Sequence, residues 1–226
     1  MKAFNQYITE KIRLSNDRFN NQYNGFEYVD LELPSGNMWA VTNIGADKET
    51  DFGDYFAWGE LEPKEVYTWK TYKWCEQRFS KLTKYCVDTA FGYREFTDDI
   101  TQLYPEDDVA NVLMKGNWYI PSDKDVEELM NNTTGSWESN YNGTSVSGLL
   151  LTGNNKKQLF LPAVGYKDDD NTFNINTAGY YWISELNTNT SSDNCEAFVV
   201  KKDKNKLVIT TDERYYGSCI RPVLKK

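Results

Sequence analysis

The chain begins with apolar residues at helical spacing. In the otherwise charged segment 1–16, four apolar side chains recur every three or four residues: Phe4, Tyr7, Ile8 and Ile12. This stripe predicts a short amphipathic helix. Residues 16–25 are polar and rich in Asn, which is typical of a linker. Two roles for the helix are open: it docks on a partner protein, or it folds back onto the main domain.

Alternating positions follow the linker. Residues 28–33 alternate between apolar and acidic side chains, and Pro34 to Gly36 form a turn before the apolar run 38–42. This pattern predicts a β-hairpin. The next aromatic and glycine-rich segment, Asp51 to Glu60, is predicted to be irregular but buried.

A first helix is predicted over residues 105–115. Its apolar positions Val109, Val112 and Leu113 fall on one face, and Gly116 ends the pattern.

A second helix is predicted after Pro121. The Ser122 hydroxyl can cap its first turn, while Asp123 and Asp125 meet the positive end of the helix. Its buried stripe is predicted to consist of three residues: Val126, Leu129 and Met130.

Short β-like runs dominate the rest of the chain, separated by long polar loops. The runs are Gln158 to Leu161, Tyr180 to Ile183, Ala197 to Val200, Leu207 to Thr210 and Ser218 to Val223. The charged stretch 201–206 favours antiparallel pairing of the runs on either side of it. Helices in the middle and hairpins at both ends predict an α+β domain over residues 26–226, preceded by the helix and linker of residues 1–25.

Composition narrows the functions. The net charge of −9 argues against a nucleic-acid partner, which Lys and Arg would have to hold, and against an anionic membrane surface. No apolar run is long enough for membrane insertion, and no secretory signal is recognised in the first 30 residues, so synthesis and retention in a cytoplasm are expected. Histidine is absent, which removes the usual general base and the commonest transition-metal ligand.

The cysteine and acidic residues also argue against a metal site or an enzyme. Four cysteines lie at wide, irregular spacings and are interpreted as buried free thiols: Cys75, Cys86, Cys195 and Cys219. The acidic run 168–171 fails the spacing of a calcium loop and is interpreted as a solvated turn. The carboxylate pairs are interpreted as first-turn or solvent-face charges of helices: Glu106 with Asp108, and Glu127 with Glu128. We therefore expect no metal, no cofactor and no enzymatic activity. An enzyme would need a cleft with perturbed carboxylates or thiols.

Seven phrases resemble the paralogous domain abundant in Bacteroides and Fibrobacter, the Fibrobacter succinogenes major paralogous domain. They are YVDLELPSG (Tyr28 to Gly36), MWAVTNIGA (Met38 to Ala46), GDYFAWGE (Gly53 to Glu60), NWYIPSDKDVEEL (Asn117 to Leu129), LFLPAVGY (Leu159 to Tyr166), GYYWIS (Gly179 to Ser184) and YYGSCIRPV (Tyr215 to Val223). The resemblance implies a C-type-lectin-like fold, shared with formylglycine-generating enzymes and with variable proteins of diversity-generating retroelements.

The resemblance also implies a ligand-binding face. Residues 180–198 and 210–217 are expected to lie together and to display the contact residues Tyr181, Glu185, Asn187, Asn189, Asp193, Asn194, Glu213, Arg214, Tyr215 and Tyr216. Tyr, Asn and Asp suit such a face because Tyr supplies contact area at low entropic cost and the others adapt their hydrogen bonds. Trp182 and Arg221 are instead predicted to be a core residue and a buried-pair residue.

The start of the chain suggests a setting. Bacterial members of this family usually carry a secretion or lipoprotein signal, whereas MKAFNQYITEKIRLSND resembles N-terminal helices of virion proteins in Bacteroides-infecting, crAss-like phages. The leading hypothesis is a phage head or tail accessory protein. Its helix would dock on a capsid or tail protein, and its domain would contact a host-surface glycan or protein, as a homo-oligomer and specifically a trimer. The alternative is a bacterial carbohydrate-binding or adhesin module.

Overall fold

The protein has a mixed α+β fold, as predicted. A computed structural model describes residues 21–188 and 205–226, and the main chain of residues 194–201. The predicted N-terminal helix, with Phe4, Tyr7, Ile8 and Ile12, lies outside the described residues. Within these ranges two α-helices occur among short antiparallel strands, and no helix is both long and apolar enough to cross a membrane.

A five-stranded antiparallel sheet joins the two ends of the described chain. Its strands, in spatial order, are β1 (Gln22–Tyr23), β2 (Phe26–Val29), β3 (Met38–Ala40), β13 (Val223–Leu224) and β4 (Trp118–Tyr119). The β2–β3 pair, with Val29 opposite Trp39, confirms the first hairpin, although its first strand ends at Val29. Strand β1 shows that the last residues of the predicted linker belong to this sheet.

Helix α1 (Val109–Met114) buries a different face from the one predicted. Val112 and Leu113 are exposed, whereas Val109, Ala110 and Met114 are buried. The reason is a tertiary contact at the helix start. The Asp108 side chain accepts from Asn111 N as the N-cap and also from Ile120 N at 2.8 Å, which fixes the rotation of the helix. Asp108 is therefore buried rather than at the solvent face.

Helix α2 (Asp123–Asn132) follows its prediction closely. Ser122 is the N-cap, and a capping box forms because Ser122 Oγ accepts from Asp125 N while the Asp125 carboxylate accepts from Ser122 N. Val126 and Leu129 are buried and Met130 packs against the same core, so the predicted stripe is confirmed. Glu128 is not a free surface charge, because its carboxylate accepts from the main chain and hydroxyl of Ser35.

Three further antiparallel groups complete the fold. They are β5 (Thr133–Glu138), β6 (Gly148–Gly153) and β7 (Gln158–Pro162); β8 (Tyr166–Asp168) and β9 (Asn171–Phe173); and β10 (Ala178–Trp182), β11 (Asn194–Lys201) and β12 (Lys206–Glu213). Pairing of Ala197 with Thr210 confirms the second predicted hairpin. Asp168 opposite Asn171 confirms the predicted turn. Short 3-10 helices occupy Tyr93–Glu95, Pro105–Asp107 and Tyr141–Gly143.

Tryptophans anchor the interior. The segment Asp51 to Glu60 contains the irregular, buried chain predicted from its aromatic residues. Trp58 Nε1 donates to Ile183 O at 2.9 Å, and Trp182 Nε1 donates to Phe56 O at 2.7 Å. Each of the two segments therefore donates one indole hydrogen bond to the main chain of the other. Trp182 is therefore a core residue, as predicted.

Arg221 is fully buried, but its partners differ from those of an ion pair. Its Nε donates to Asn43 Oδ1 and its guanidinium to Phe160 O, both at 2.9 Å. No carboxylate of the described residues forms a salt bridge with it. Burial lowers the pKa of Arg221. Amide and carbonyl oxygens therefore replace the acidic partner that a buried pair would have.

Candidate functional site

The two segments expected to form a ligand-binding face do lie side by side. Strand β10 pairs with β11 and β11 with β12, which places Tyr181 opposite Phe198 and Asn194 opposite Glu213. The β8–β9 hairpin joins this group through bridges from Lys167 to Gly217 and from Gly165 to Gly179. The β8–β9 hairpin, strands β10 to β12 and Gly217 thus meet at one place.

Three of the predicted contact residues point into the interior. Tyr181 and Arg214 have no exposed surface, and Asn187 is 2% exposed. The Tyr181 hydroxyl donates to Pro162 O at 2.6 Å, and the Arg214 guanidinium donates to Tyr85 O at 3.1 Å. A ligand at the surface would not touch these side chains, because each is covered by the core that it helps to hold.

Glu185 lies at the start of helix α2. Its carboxylate accepts from Asp123 N and from Ser184 Oγ, each at 3.1 Å. Burial, and then the neighbouring charge of Asp123, raises the pKa of Glu185 to about 7. Its main contacts are therefore those of a second cap for α2.

The other predicted contacts divide between described and undescribed parts of the chain. Asn189 and Asp193 lie outside the described residues. Asn194 begins β11, but its side chain is not among those described. Glu213 ends β12 and is half-buried, and the half-buried Tyr215 and Tyr216 come after Arg214.

Tyr215 and Tyr216 belong to a chain of neighbouring rings that we call the aromatic band. Its members are Trp69, Tyr166, Phe173, Tyr180, Tyr215 and Tyr216. Ring centroids are 5.0 Å apart for Trp69 and Tyr215, 4.7 Å for Tyr215 and Tyr216, and 5.2 Å for Tyr216 and Tyr166. Tyr166 also contacts Tyr180 at 4.7 Å and Phe173 at 5.5 Å. None of these rings is fully buried, and Phe173 is 42% exposed.

Two glycines allow the elements of the band to approach each other. Gly165 has a φ of +70°, and a Cβ there would lie 2.0 Å from Phe173 O, so only glycine permits the turn into β8. A Cβ on Gly217 would lie 2.8 Å from the Tyr67 ring. A glycine therefore lies next to each of the two tyrosines, Gly165 before Tyr166 and Gly217 after Tyr216. The lack of a side chain at both positions lets the two segments approach each other.

No protein-family model, curated protein or solved structure matches this chain. The candidate site is therefore defined by its own geometry.

The band is neutral in its rings and acidic at its edge. Burial is the main cause that raises the pKa of Tyr166, Tyr180, Tyr215 and Tyr216 above the ordinary tyrosine value, so all four hydroxyls stay protonated at neutral pH. The charges of Asp168 and Asp212 also raise the pKa of Tyr166 and Tyr216. Burial raises the pKa of Asp212 itself to about 6. Among the described residues, no Lys or Arg stacks on a ring of the band.

Three of the four cysteines predicted to be free thiols are described and are free, and the side chain of Cys195 lies outside the described residues. Cys86 and Cys219 are buried, whereas Cys75 is only partly buried. Burial raises the pKa of each of the three, so the thiol form dominates at neutral pH. The described residues contain no group of three or more Cys, Asp or Glu side chains placed to hold a metal ion.

Sequence reasoning missed four members of the band: Trp69, Tyr166, Phe173 and Tyr180. The sequence contained a signal for two of them. A turn at residues 168–171 places Tyr166 directly opposite Phe173 in a hairpin. Trp69 had no such signal. It reaches the band through a bridge between Tyr67 and Asp169, about a hundred residues apart in the chain.

Proposed function

We propose that the protein is a non-enzymatic recognition protein whose aromatic band binds a host-surface glycan or protein. The observation that carries this proposal is a continuous set of partly exposed rings contributed by four separate stretches of chain. Partly exposed tyrosines give a rigid apolar face and a hydroxyl that donates or accepts a hydrogen bond. Sugar rings and protein side chains both fit such a surface.

Charge narrows the ligand class. Asp168 lies in β8 with Tyr166, and the charges of Asp168 and Asp212 act on the hydroxyls of Tyr166 and Tyr216. A negatively charged polysaccharide would meet like charge there, whereas a neutral glycan or a protein segment with basic side chains would not. The band is therefore proposed to take a neutral or positively charged ligand.

We assign the domain to the C-type-lectin-like fold and to the family that its motifs resemble. Several of those motifs contact each other. Strand β3 of the MWAVTNIGA phrase pairs with β13, which follows Arg221 and Pro222. Trp58 of GDYFAWGE donates to Ile183 of GYYWIS. Packing of motif against motif supports their interpretation as one structural signature.

The proposed setting is a phage virion, with the protein as a head or tail accessory component. Support comes from the resemblance of residues 1–17 to N-terminal helices of virion proteins. The stripe of Phe4, Tyr7, Ile8 and Ile12 would dock on a capsid or tail protein. We propose a homo-oligomer, specifically a trimer, since repeated copies would strengthen weak contacts with a host surface. Light scattering on the full-length protein measures the number of copies.

Binding is tested with the full-length protein on an array of neutral and acidic glycans and on host envelope proteins. Tyr166→Ala and Tyr216→Ala are each expected to weaken binding at least about tenfold, because centrally placed aromatic contacts dominate interface energies. Phe96→Ala is the matched control, since Phe96 is 36% exposed and lies outside the band. Equal losses in all three variants, or a preference for acidic glycans, would contradict the proposal.

The attachment role needs a variant that keeps strand β1. Because Gln22–Tyr23 belongs to the five-stranded sheet, substitution is safer than truncation. Phe4→Asp with Ile8→Asp disrupts the stripe, and Gln6→Asp adds charge on the opposite side of the predicted helix. In pull-downs from infected cells, the first variant is expected to lose a capsid or tail protein that wild type and Gln6→Asp retain. Host-surface binding without any virion capture would favour the bacterial adhesin module.

A further inference from the structure

A cleft of about 330 Å³ shares no lining residue with the aromatic band. Its walls are largely apolar and include Leu103, Pro105, Tyr119 and Ile120. Asp108 also lines it and is only 2% exposed. A volume of this size fits a small ligand or one long side chain.

Asp108 differs from the other buried carboxylates of the described residues. Glu60 pairs with Lys64, Asp107 with Lys84, and Asp125 with Lys225. Asp108 has no ion pair within this part of the chain. Lys225 also lines the cleft, but its ammonium is held by Asp125.

The hydrogen bonds of Asp108 leave room for a further partner. One oxygen accepts from Asn111 N at 3.0 Å and the other from Ile120 N at 2.8 Å. The backbone N–H of Ala110 also acts on this carboxylate. A carboxylate has about four acceptor positions, two on each oxygen, so at least one remains. Burial raises the pKa of Asp108 to about 6, although the surrounding backbone N–H groups and the charge of Lys225 act to lower it.

We propose that the cleft binds a primary alkylammonium group, with the ammonium at the Asp108 carboxylate and the alkyl chain against Leu103, Tyr119 and Ile120. The other three buried carboxylates each form an ion pair with a lysine of this chain. Asp108 instead lines a cleft that a cationic ligand could enter. The alkylammonium is either a free amine or the lysine side chain of another protein. This site is independent of the proposed recognition surface.

The test titrates wild-type, full-length protein with n-butylammonium, n-butanol and butyrate while amide resonances are recorded. n-Butylammonium is expected to shift the Asn111 and Ile120 amides and to bind at least about tenfold more tightly than n-butanol, because hydrogen bonds to charged groups are the stronger ones. Butyrate is expected not to bind. Nα-acetyl-lysine methylamide has the same four-carbon stem, and tighter binding by it than by n-butylammonium assigns the group to a partner's lysine.

Two variants locate the interaction. Asp108→Asn is expected to weaken n-butylammonium binding at least about tenfold. Asp107→Asn, the adjacent buried carboxylate that already pairs with Lys84, is expected to change it less than about twofold. Equal binding of n-butanol and n-butylammonium, or an absence of shifts at Asn111 and Ile120, overturns the proposal. If Asp108→Asn does not fold, the wild-type ligand series still decides.

Discussion

The interior tryptophans and the rings of the aromatic band are similar side chains in two different environments. Trp58, Trp118 and Trp182 have no exposed surface, and each donates its indole N–H to a main-chain carbonyl. The rings of the band contact one another but remain partly exposed. Buried rings with a bonded indole N–H stabilise the fold, whereas partly exposed rings keep apolar surface and hydroxyl groups accessible.

The largest effect is expected in the interior. Trp182→Ala removes a fully buried ring and the hydrogen bond to Phe56 O, and should lower the free energy of unfolding by about 3 to 5 kcal/mol. Urea denaturation followed by circular dichroism measures the change. Tyr216→Ala, which removes a half-buried ring, serves as the comparison and should cost clearly less. Similar losses for both would remove the distinction between core and band.

An intermediate effect is expected where the main chain positions the band. Gly165→Ala introduces strain at a φ of +70° and a contact with Phe173 O, and should cost about 1 to 3 kcal/mol. Gly143→Ala is the matched control, because Gly143 has a φ of +77° with open space around its Cβ position. The Gly165 variant should also move the Tyr166 and Phe173 resonances. If Gly165→Ala lowers the free energy of unfolding no more than Gly143→Ala does, the close approach at Gly165 does not contribute to stability.

The sequence predicted features that local contacts determine. The cap of α2 was predicted because Ser122 and Asp125 are three residues apart and interact directly. The β11–β12 hairpin was predicted because its turn lies between the paired runs. The buried face of α1 was predicted wrongly, because it depends on the contact between Asp108 and Ile120, which lies beyond the end of the helix.

The candidate site was predicted only in part for the same reason. Tyr215 and Tyr216 were identified from the family resemblance, but their partner Tyr166 comes from a hairpin that long-range bridges bring alongside. Tyr181 was wrongly placed at the surface. Alternation along β10 does not tell which of its faces is covered, and Pro162 O accepts the Tyr181 hydroxyl inside the core.

The smallest effect is expected from pH, at the acidic edge of the band. The pKa of Asp212 is about 6 in the folded protein and about 3.9 in an unfolded chain. The folded state therefore binds more protons between these values, so this group's contribution to stability is present below about pH 4 and is lost as pH rises through about 6. Asp212→Asn should flatten the fall in stability over that range. A steeper fall in the variant, measured by urea denaturation at pH 4.5 and 7, would reverse the sign of the argument.

The most direct measurement of the central claim is covalent footprinting of the full-length protein, with and without host-cell surfaces. The band predicts protection of Tyr166, Tyr180, Tyr215 and Tyr216, while Tyr104, which is 43% exposed and outside the band, stays as reactive as in the free protein. Protection of Tyr104 with no change in the four tyrosines of the band would contradict the assignment of the aromatic band as the recognition surface.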